Sequence, residues 1–403
     1  MHLFVSNFYG TTFLVIYRMV IIMGIVLELG AASAPAPAPL LSPSEANAIL
    51  NSGWWNLSQL DSHNICSRND IYCNDAGSIT GIHCPFHTPG IRLATLNLSA
   101  FKNLERLEFS NCGLQGTIPP NIGNLPKLTY LDLSTNALHG KIPPSLGNLT
   151  QLKKLFLSGN NIQGPIPHEL LFLKNLTVLD LAYNIINGTL PFSLSNLTKL
   201  ETLDISRNLL SGSLKPLSIG SHAQIATMDL SYHLTYLDLS YNLLDGEIPP
   251  ALANLNQLEK LILSHNNIQG SIPQNFVFLK SLAFLDLSTN KISGTLSISF
   301  SNFTKLVMLD ISHNLLSGSL KPLSVGKHAQ LTTIYLRNNS ISGKIPPELG
   351  YFPFLYTLDL SYNNLTGRVP LSLQNVYDVN LSFNNLNGPF PNGLSIFQLR
   401  GNR

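Results

Sequence analysis

The chain has 403 residues, of which 44% are apolar and 11% are Asp, Glu, Lys or Arg, against about 25% charged in an ordinary globular domain. A net charge of +2 leaves no basic footprint for nucleic acid. Polarity comes instead from Asn, Ser and Thr.

In chain order, residues 1–34 read as a signal peptide: Arg18 precedes an apolar run from Met19 to Leu27, and Ala32-Ser33-Ala34 fits a cleavage site. The apolar stretch before Arg18 gives an alternative, residues 11–29 as a signal anchor. Ala-Pro-Ala-Pro-Ala-Pro at 34–39 reads as a stiff linker. Residues 35–90 are expected to hold this linker and a terminal cap. A short helix is expected over Pro43–Asn51 and a cap strand near Leu93-Leu96-Leu98. The four cysteines, Cys66, Cys73, Cys84 and Cys112, all precede residue 113. A metal site built from Cys66, Cys73, Cys84 and His83 fits no common zinc spacing, so no metal or cofactor is expected.

Residues 91–398 repeat one phrase about every 24 residues, for about 12–13 copies, and a period of that length marks a solenoid. Leu128-Thr129-Tyr130-Leu131-Asp132-Leu133-Ser134-Thr135-Asn136-Ala137-Leu138-His139-Gly140 is one copy. Others start at Leu104, Leu152, Leu176, Leu200, Leu234, Leu258, Leu282, Leu306, Leu331, Leu355 and Val376. Leu131, Leu133 and Leu138 should point inward and stack on the next coil, each contributing about 1.5–3 kcal/mol. Tyr130, Asp132 and Ser134 should alternate outward from a short strand. Asn136 and its equivalents (Asn160, Asn184, Asn208, Asn242, Asn266, Asn290, Asn314, Asn339, Asn363 and Asn384) should form a buried ladder that satisfies the turning backbone. Cys112 takes that place in the first full copy.

The second half of each copy reads Gly-x-Ile-Pro or a variant, as in Gly116-Thr117-Ile118-Pro119 and Gly343-Lys344-Ile345-Pro346; its Pro suits a sheet edge or bend. With these motifs the chain resembles, over roughly residues 45–403, the plant-type leucine-rich repeats of receptor-like kinases and receptor-like proteins. The resemblance implies an α/β solenoid: a plant-type leucine-rich-repeat superhelix with a concave parallel β-sheet and a disulfide-bonded N-terminal cap. Cys66 and Cys73, followed by Asn74-Asp75-Ala76-Gly77-Ser78-Ile79, match the paired cysteines of that cap, and their disulfide would seal the exposed end. The family usually carries a Trp between the two cysteines; here Arg68 stands near that place, and Trp54 and Trp55 lie upstream. Cys84 has no evident partner. Cys73–Leu98 is similar to the subgroup named for interaction with the male-discoverer pollen-tube receptor.

A longer period lies above the first: residues 128–224 recur at 234–330, and Leu128–Ser134 is identical to Leu234–Ser240. Duplication of a four-repeat block explains this and implies few differences between the inner faces of the blocks. At the junction, residues 225–233 begin a repeat that Leu234 restarts, so a stub squeezed between coils is expected. Residues 399–403 resemble the truncated start of the family's C-terminal cap.

No nucleotide, metalloprotease, hydrolase or kinase motif is present, so an enzyme is not expected. Asp132, Asp180, Asp204, Asp229, Asp238, Asp286, Asp310 and Asp359 stand in the family-standard Leu-Asp-Leu/Ile-Ser phrase and read as a solvated concave column linked to neighbouring Ser and Thr. Departures from that pattern mark the candidate ligand site: Tyr236, Tyr241, His265, Phe284 and Arg337, with Arg207 standing alone elsewhere on the face. Ten sequons occur. Asn56, Asn148, Asn175, Asn187, Asn196, Asn302 and Asn364 are the expected glycosylation sites, while Asn97 and Asn380 are placed on the concave strands.

The resemblance implies the extracellular recognition domain of a cell-surface receptor in the secretory pathway, at the plasma membrane or in the apoplast. Its partners would be a peptide or protein ligand and a co-receptor kinase ectodomain. Signalling would pass through an attached or partner Ser/Thr kinase that these residues do not contain. Membrane association would come through a missing C-terminal region or the uncleaved N-terminal anchor. The alternatives are a secreted inhibitor of microbial wall-degrading enzymes, like the polygalacturonase-inhibiting proteins, or a soluble decoy.

Overall fold

The computed structural model describes residues 41–55, 65–84, 90–217, 233–296, 303–323, 330–391 and 396–402. The leader and linker, Asn56, Asn302, and 225–232 of the expected stub lie outside the described residues.

The cap begins with helix α1, Pro43–Leu50. Ser42 caps it by accepting the Glu45 N–H, and Pro43 opens the first turn, where its missing donor costs nothing. Glu45 is buried, and its carboxylate accepts the Ser78 hydroxyl at 2.8 Å and the Ile79 N–H at 3.2 Å, tying the helix to the next element. That element is a hairpin of Ile71–Cys73 against Ile79–His83, whose second strand pairs in parallel with Arg106–Glu108. The cap strand is therefore Ile79–His83, not Leu93–Leu98. Leu93–Thr95 and Leu98–Ala100 are 3-10 turns closed by local bonds such as Leu96 N–H to Leu93 O. Leu93, Leu96 and Leu98 are fully buried, but buried residues two or three apart suit a tight turn as well as a strand. Asn97 is consequently not on the sheet.

Trp54 lies edge-on to Phe109 at 4.9 Å and stacks on Trp55; their indole N–H groups donate to Thr95 Oγ1 and Asp70 Oδ2. Burial works to raise the Asp70 pKa, yet the Arg68 and Trp55 hydrogen bonds hold it below the usual carboxylate range.

Two disulfides close this end: Cys66–Cys73, with Cα atoms 5.7 Å apart, and Cys84–Cys112, 6.0 Å apart. Cys84 thus has a partner, and with all four sulfurs bonded the metal reading falls. Cys112 stands where later coils use Asn to staple themselves to the preceding coil; a covalent bond to the cap does that task here. Replacing both Cys84 and Cys112 by alanine is expected to cost about 2–4 kcal/mol, the usual range for a native cross-link. Urea unfolding of the oxidised double variant measures this, and an unchanged midpoint would show that the bond does not hold the cap.

Among the described residues, fourteen strands form one sheet, and from Ile79–His83 onward each pairs in parallel with the next coil. Three-residue strands such as Tyr130–Asp132 stay in register with the coils on either side (Tyr130 opposite Lys154, Leu131 opposite Leu155). Leu131, Leu133 and Leu138 are fully buried, as are their counterparts along the stack. The asparagines form the expected ladder. In one rung the Asn160 Nδ2 donates to Leu133 O of the preceding coil at 3.0 Å, and its Oδ1 accepts the Leu138 N–H at 3.0 Å.

The Gly-x-Ile-Pro half makes more than a bend. Its residues build a second parallel sheet of six strands, from Gln115–Thr117 to Leu243–Asp245, and a three-stranded one from Ser342–Gly343 to Asn385–Leu386. Short 3-10 segments such as Pro120–Asn124 and Pro250–Asn254 complete the coils.

At the junction, Thr202–Asp204 pairs directly with Tyr236–Asp238, and Asn242 Nδ2 reaches Ile205 O at 3.0 Å. The coils on either side of the expected stub are thus direct neighbours in the long sheet. At the other end Asn402 is a further rung, accepting the Leu386 N–H at 3.0 Å and donating to Leu381 O at 2.9 Å. Residues 398–402 so continue the repeat pattern: Leu381 N–H and Phe383 N–H bond to Gln398 O and Arg400 O. Among the described residues no helix is long and apolar enough to cross a membrane.

Candidate functional site

Three columns of side chains run across the strands of the long sheet, and a fourth packs beneath them. The first column stands at the start of each strand. Tyr236, Lys260 and Phe284 are register partners on adjacent coils. The Lys260 ammonium lies 4.8 Å from the Phe284 ring centre and 5.9 Å from that of Tyr236. Burial between the rings pulls its pKa below the usual lysine value. Lys260 completes this cluster and was not among the residues singled out by pattern; only its place in the Tyr236–Phe284 register could have marked it.

The second column is aspartate, half-buried rather than freely solvated, and linked to neighbouring serines as the sequence suggests. Asp180, Asp204 and Asp238 are consecutive partners on one side of Ile262, and Asp286 and Asp310 on the other. Burial, then the neighbouring Asp238 and Asp180, push the Asp204 carboxyl well above its ordinary range. Burial also raises Asp238, and burial with Asp286 lifts Asp310 to about 7. The serines beneath are turned inward: Ser134 is fully buried, and its hydroxyl donates to Asp132 at 2.6 Å. Ser206 binds Asp204 in the same way at 2.7 Å. The floor of the face is therefore hydrogen-bonded, and three of its carboxyls, those of Asp204, Asp238 and Asp310, are raised above the ordinary range.

The third column precedes each ladder asparagine. Here the chain leaves the strand through left-handed backbone, with φ of 54° at Tyr183, 54° at Arg207, 52° at Tyr241 and 54° at His265, a conformation that non-glycine residues rarely adopt. One such residue per coil brings the side chains into a row. Tyr241 and His265 stack at 4.0 Å and 13°, and Tyr362 and Phe383 at 4.3 Å and 20°. The Arg207 guanidinium sits 4.8 Å from the Tyr183 ring centre and 4.0 Å from that of Tyr241. Burial holds His265 and His313 below the usual imidazole pKa.

The five candidates thus divide. Tyr236 and Phe284 share the first column, Tyr241 and His265 share the third, and Arg337 lies several coils away, over the Tyr362 ring at 4.6 Å. Among the expected glycosylation sites, Asn148 and Asn196 are exposed at the ends of 3-10 segments, and Asn187 and Asn364 are exposed on the second sheets. Asn175 is tied to Thr150 O and Lys199. Asn380 does stand on the long sheet. Among the described residues no three His, Cys, Asp or Glu side chains converge as metal ligands.

Three family models match the chain: a leucine-rich repeat region over residues 86–218, and leucine-rich repeats over 256–316 and over 233–255, 330–352 and 354–376. No curated protein sequence matches significantly. Among solved structures, a TDR receptor is 32% identical with a TM-score of 0.66, covering 73% of this chain and 50% of that one. The PEPR1–AtPEP1 structure is 24% identical (TM-score 0.53), covering 85% of this chain and 59% of that one. A plant ice-binding protein is 24% identical (TM-score 0.52), covering 90% and 95%. The last two show the fold alone. The chain spans about half the length of the TDR receptor structure.

Proposed function

Because the chain is a leucine-rich-repeat protein, we propose that it is the extracellular recognition domain of a plant cell-surface receptor, binding a peptide or protein signal on its long concave sheet. The observation that carries this reading is the Tyr236–Lys260–Phe284 cluster beside the Tyr241–His265 stack. Aromatic and cationic side chains project from coils joined by the asparagine ladder, and aromatic residues and arginine are the usual anchors of protein interfaces. The half-buried aspartate floor beneath them is hydrogen-bonded to its own serines, which favours binding over catalysis. The likeness to the TDR receptor supports the same direction. In this reading the signal passes to a Ser/Thr kinase attached to, or partnered with, the recognition domain, and a co-receptor ectodomain completes the complex. The subgroup interacting with the male-discoverer receptor is the proposed home, the secretory route the proposed path, and Asn148, Asn187, Asn196 and Asn364 the sequons best placed for glycans.

The test is capture. The full chain, immobilised, is offered peptides from plant cell-wall fluid, and the bound fraction is identified by mass spectrometry. The expected result is a small set of retained peptides whose affinity falls about tenfold or more in the Lys260→Ala/Phe284→Ala variant, as loss of a central anchor pair demands. Undiminished binding by a folded variant would remove the site from this face.

A further inference from the structure

The left-handed column holds a second layer of information. Residues 128–224 and 234–330 are copies, yet all four of their left-handed positions differ: Thr135 against Tyr241, Gly159 against His265, Tyr183 against Thr289 and Arg207 against His313. The aspartate and serine columns together differ at only two of eight positions, Phe156 against Ile262 and Ala182 against Ser288. In the first column two of four differ, Val178 against Phe284 and Thr202 against Met308, so inner-face differences are not uniformly few and are most complete in the left-handed column.

Arg207 is the sharpest case. Tyr183 and Tyr241 cover both faces of its guanidinium, and no carboxylate among the described residues pairs with it. A guanidinium held by its faces keeps its edge donors for a planar oxyanion, which it meets through two parallel hydrogen bonds. Arg337, at the serine position of its coil, lies over one ring, that of Tyr362, which is stacked on Phe383, and Arg337 too is without a carboxylate among the described residues. The coils of Arg207 and Arg337 are five strand steps apart, about 24 Å at 4.7–4.9 Å a step. An extended peptide covers that distance in about seven residues. Between the anchors the Tyr241–His265 stack offers an apolar platform, and Asn338 bonds His313 at 3.0 Å.

We propose that the ligand of this face is an extended peptide with two carboxylates about seven residues apart, one on Arg207 of the left-handed column and one on Arg337, which stands at the serine position one residue before that column's Asn338. The proposal rests on the concave-face reading above.

Random peptides of about twelve residues, long enough to span both anchors, are displayed on phage and selected on the full chain. The expected winners carry Asp or Glu at a spacing of roughly six to eight. For one synthetic winner, Arg207→Gln and Arg337→Gln should each weaken binding about tenfold or more, while Arg106→Gln, which removes a cation over Tyr130 outside the column, should not. Changing the matching peptide Glu to Gln should give the same loss, with no further loss in the corresponding Arg variant, the signature of a direct pair. Winners without an acidic pair, or winners indifferent to both Arg variants yet lost in Lys260→Ala/Phe284→Ala, would overturn the two-anchor proposal and leave the face intact as a site. A chain that selects no peptide would overturn both.

Discussion

Asn242→Ala is expected to split the solenoid at its junction. Asn242 Nδ2 donates to Ile205 O at 3.0 Å, Leu239 O at 3.2 Å and Ser240 O at 3.2 Å, and its Oδ1 accepts the Leu210 N–H at 3.0 Å. Two of these bonds cross to the preceding coil. Alanine leaves their buried partners without bonds, at about 1–3 kcal/mol each, so a loss of about 3–5 kcal/mol is expected in all. The position is sensitive because of the chain it bridges: Asn242 and Ile205 are 37 residues apart, against 27 for the equivalent pair Asn160 and Leu133. A longer closed segment returns less local structure for the same two bonds. In a stack, stability is a sum over neighbouring coils, so weakening one interface uncouples what lies on either side. Urea unfolding followed by circular dichroism should change from one transition to two, with the first moved to lower denaturant. A single transition displaced by less than about 1 kcal/mol, the size of one ordinary hydrogen bond, would mean that the rung is not what joins the blocks.

The second large effect is on stability against pH. In the folded chain Asp204, Asp238 and Asp310 are all raised, Asp310 to about 7, through burial and the adjacent carboxylates. In the unfolded chain such groups titrate near 3.9. Between these limits the fold holds protons that the unfolded chain releases. The stabilisation is therefore complete below about pH 4, and for Asp310 it is lost as pH rises through about 7. For Asp310 alone it is on the order of 4 kcal/mol, from 1.36 kcal/mol per pKa unit. His265 and His313 act in the opposite sense: their folded values are lowered, so their contribution is present above about 6.5 and is lost as pH falls below it. The aspartate effect should dominate, giving a higher melting temperature at pH 5 than at pH 8. Asp310→Asn, which cannot ionise, should raise the melting temperature at pH 8 and flatten the profile. An unchanged profile in that variant would show that Asp310 is already ionised in the fold.

How much of this was legible depended on whether the deciding neighbour lies in the same coil. The buried leucines, the asparagine ladder and the parallel sheet follow from one phrase repeated at a fixed period, because a coil with those residues can be satisfied only by another coil. The cap helix was readable for a local reason too: Ser42, Pro43 and Glu45 cap and start it within one turn. Asn402 was equally readable, since Phe397-Gln398-Leu399-Arg400-Gly401-Asn402 repeats the spacing of Leu131 to Asn136, although it lay outside the copies counted.

What the residue pattern could not supply is everything set between coils. Cys84 looked solitary because its partner is 28 residues away, and stacking alone brings the cap against the first rung. The aspartates looked solvated because each phrase in isolation is open to water. Only stacking sets the carboxylates side by side, and burial together with those neighbours raises Asp204, Asp238 and Asp310. Tyr241 was legible as a candidate and Arg207 as a solitary cation on the face, but their stack with Tyr183 exists only because left-handed backbone at one position per coil aligns them. A repeat specifies its own coil through local spacing, whereas the chemistry of the face belongs to residues a coil apart, whose juxtaposition exists only once the coils are stacked.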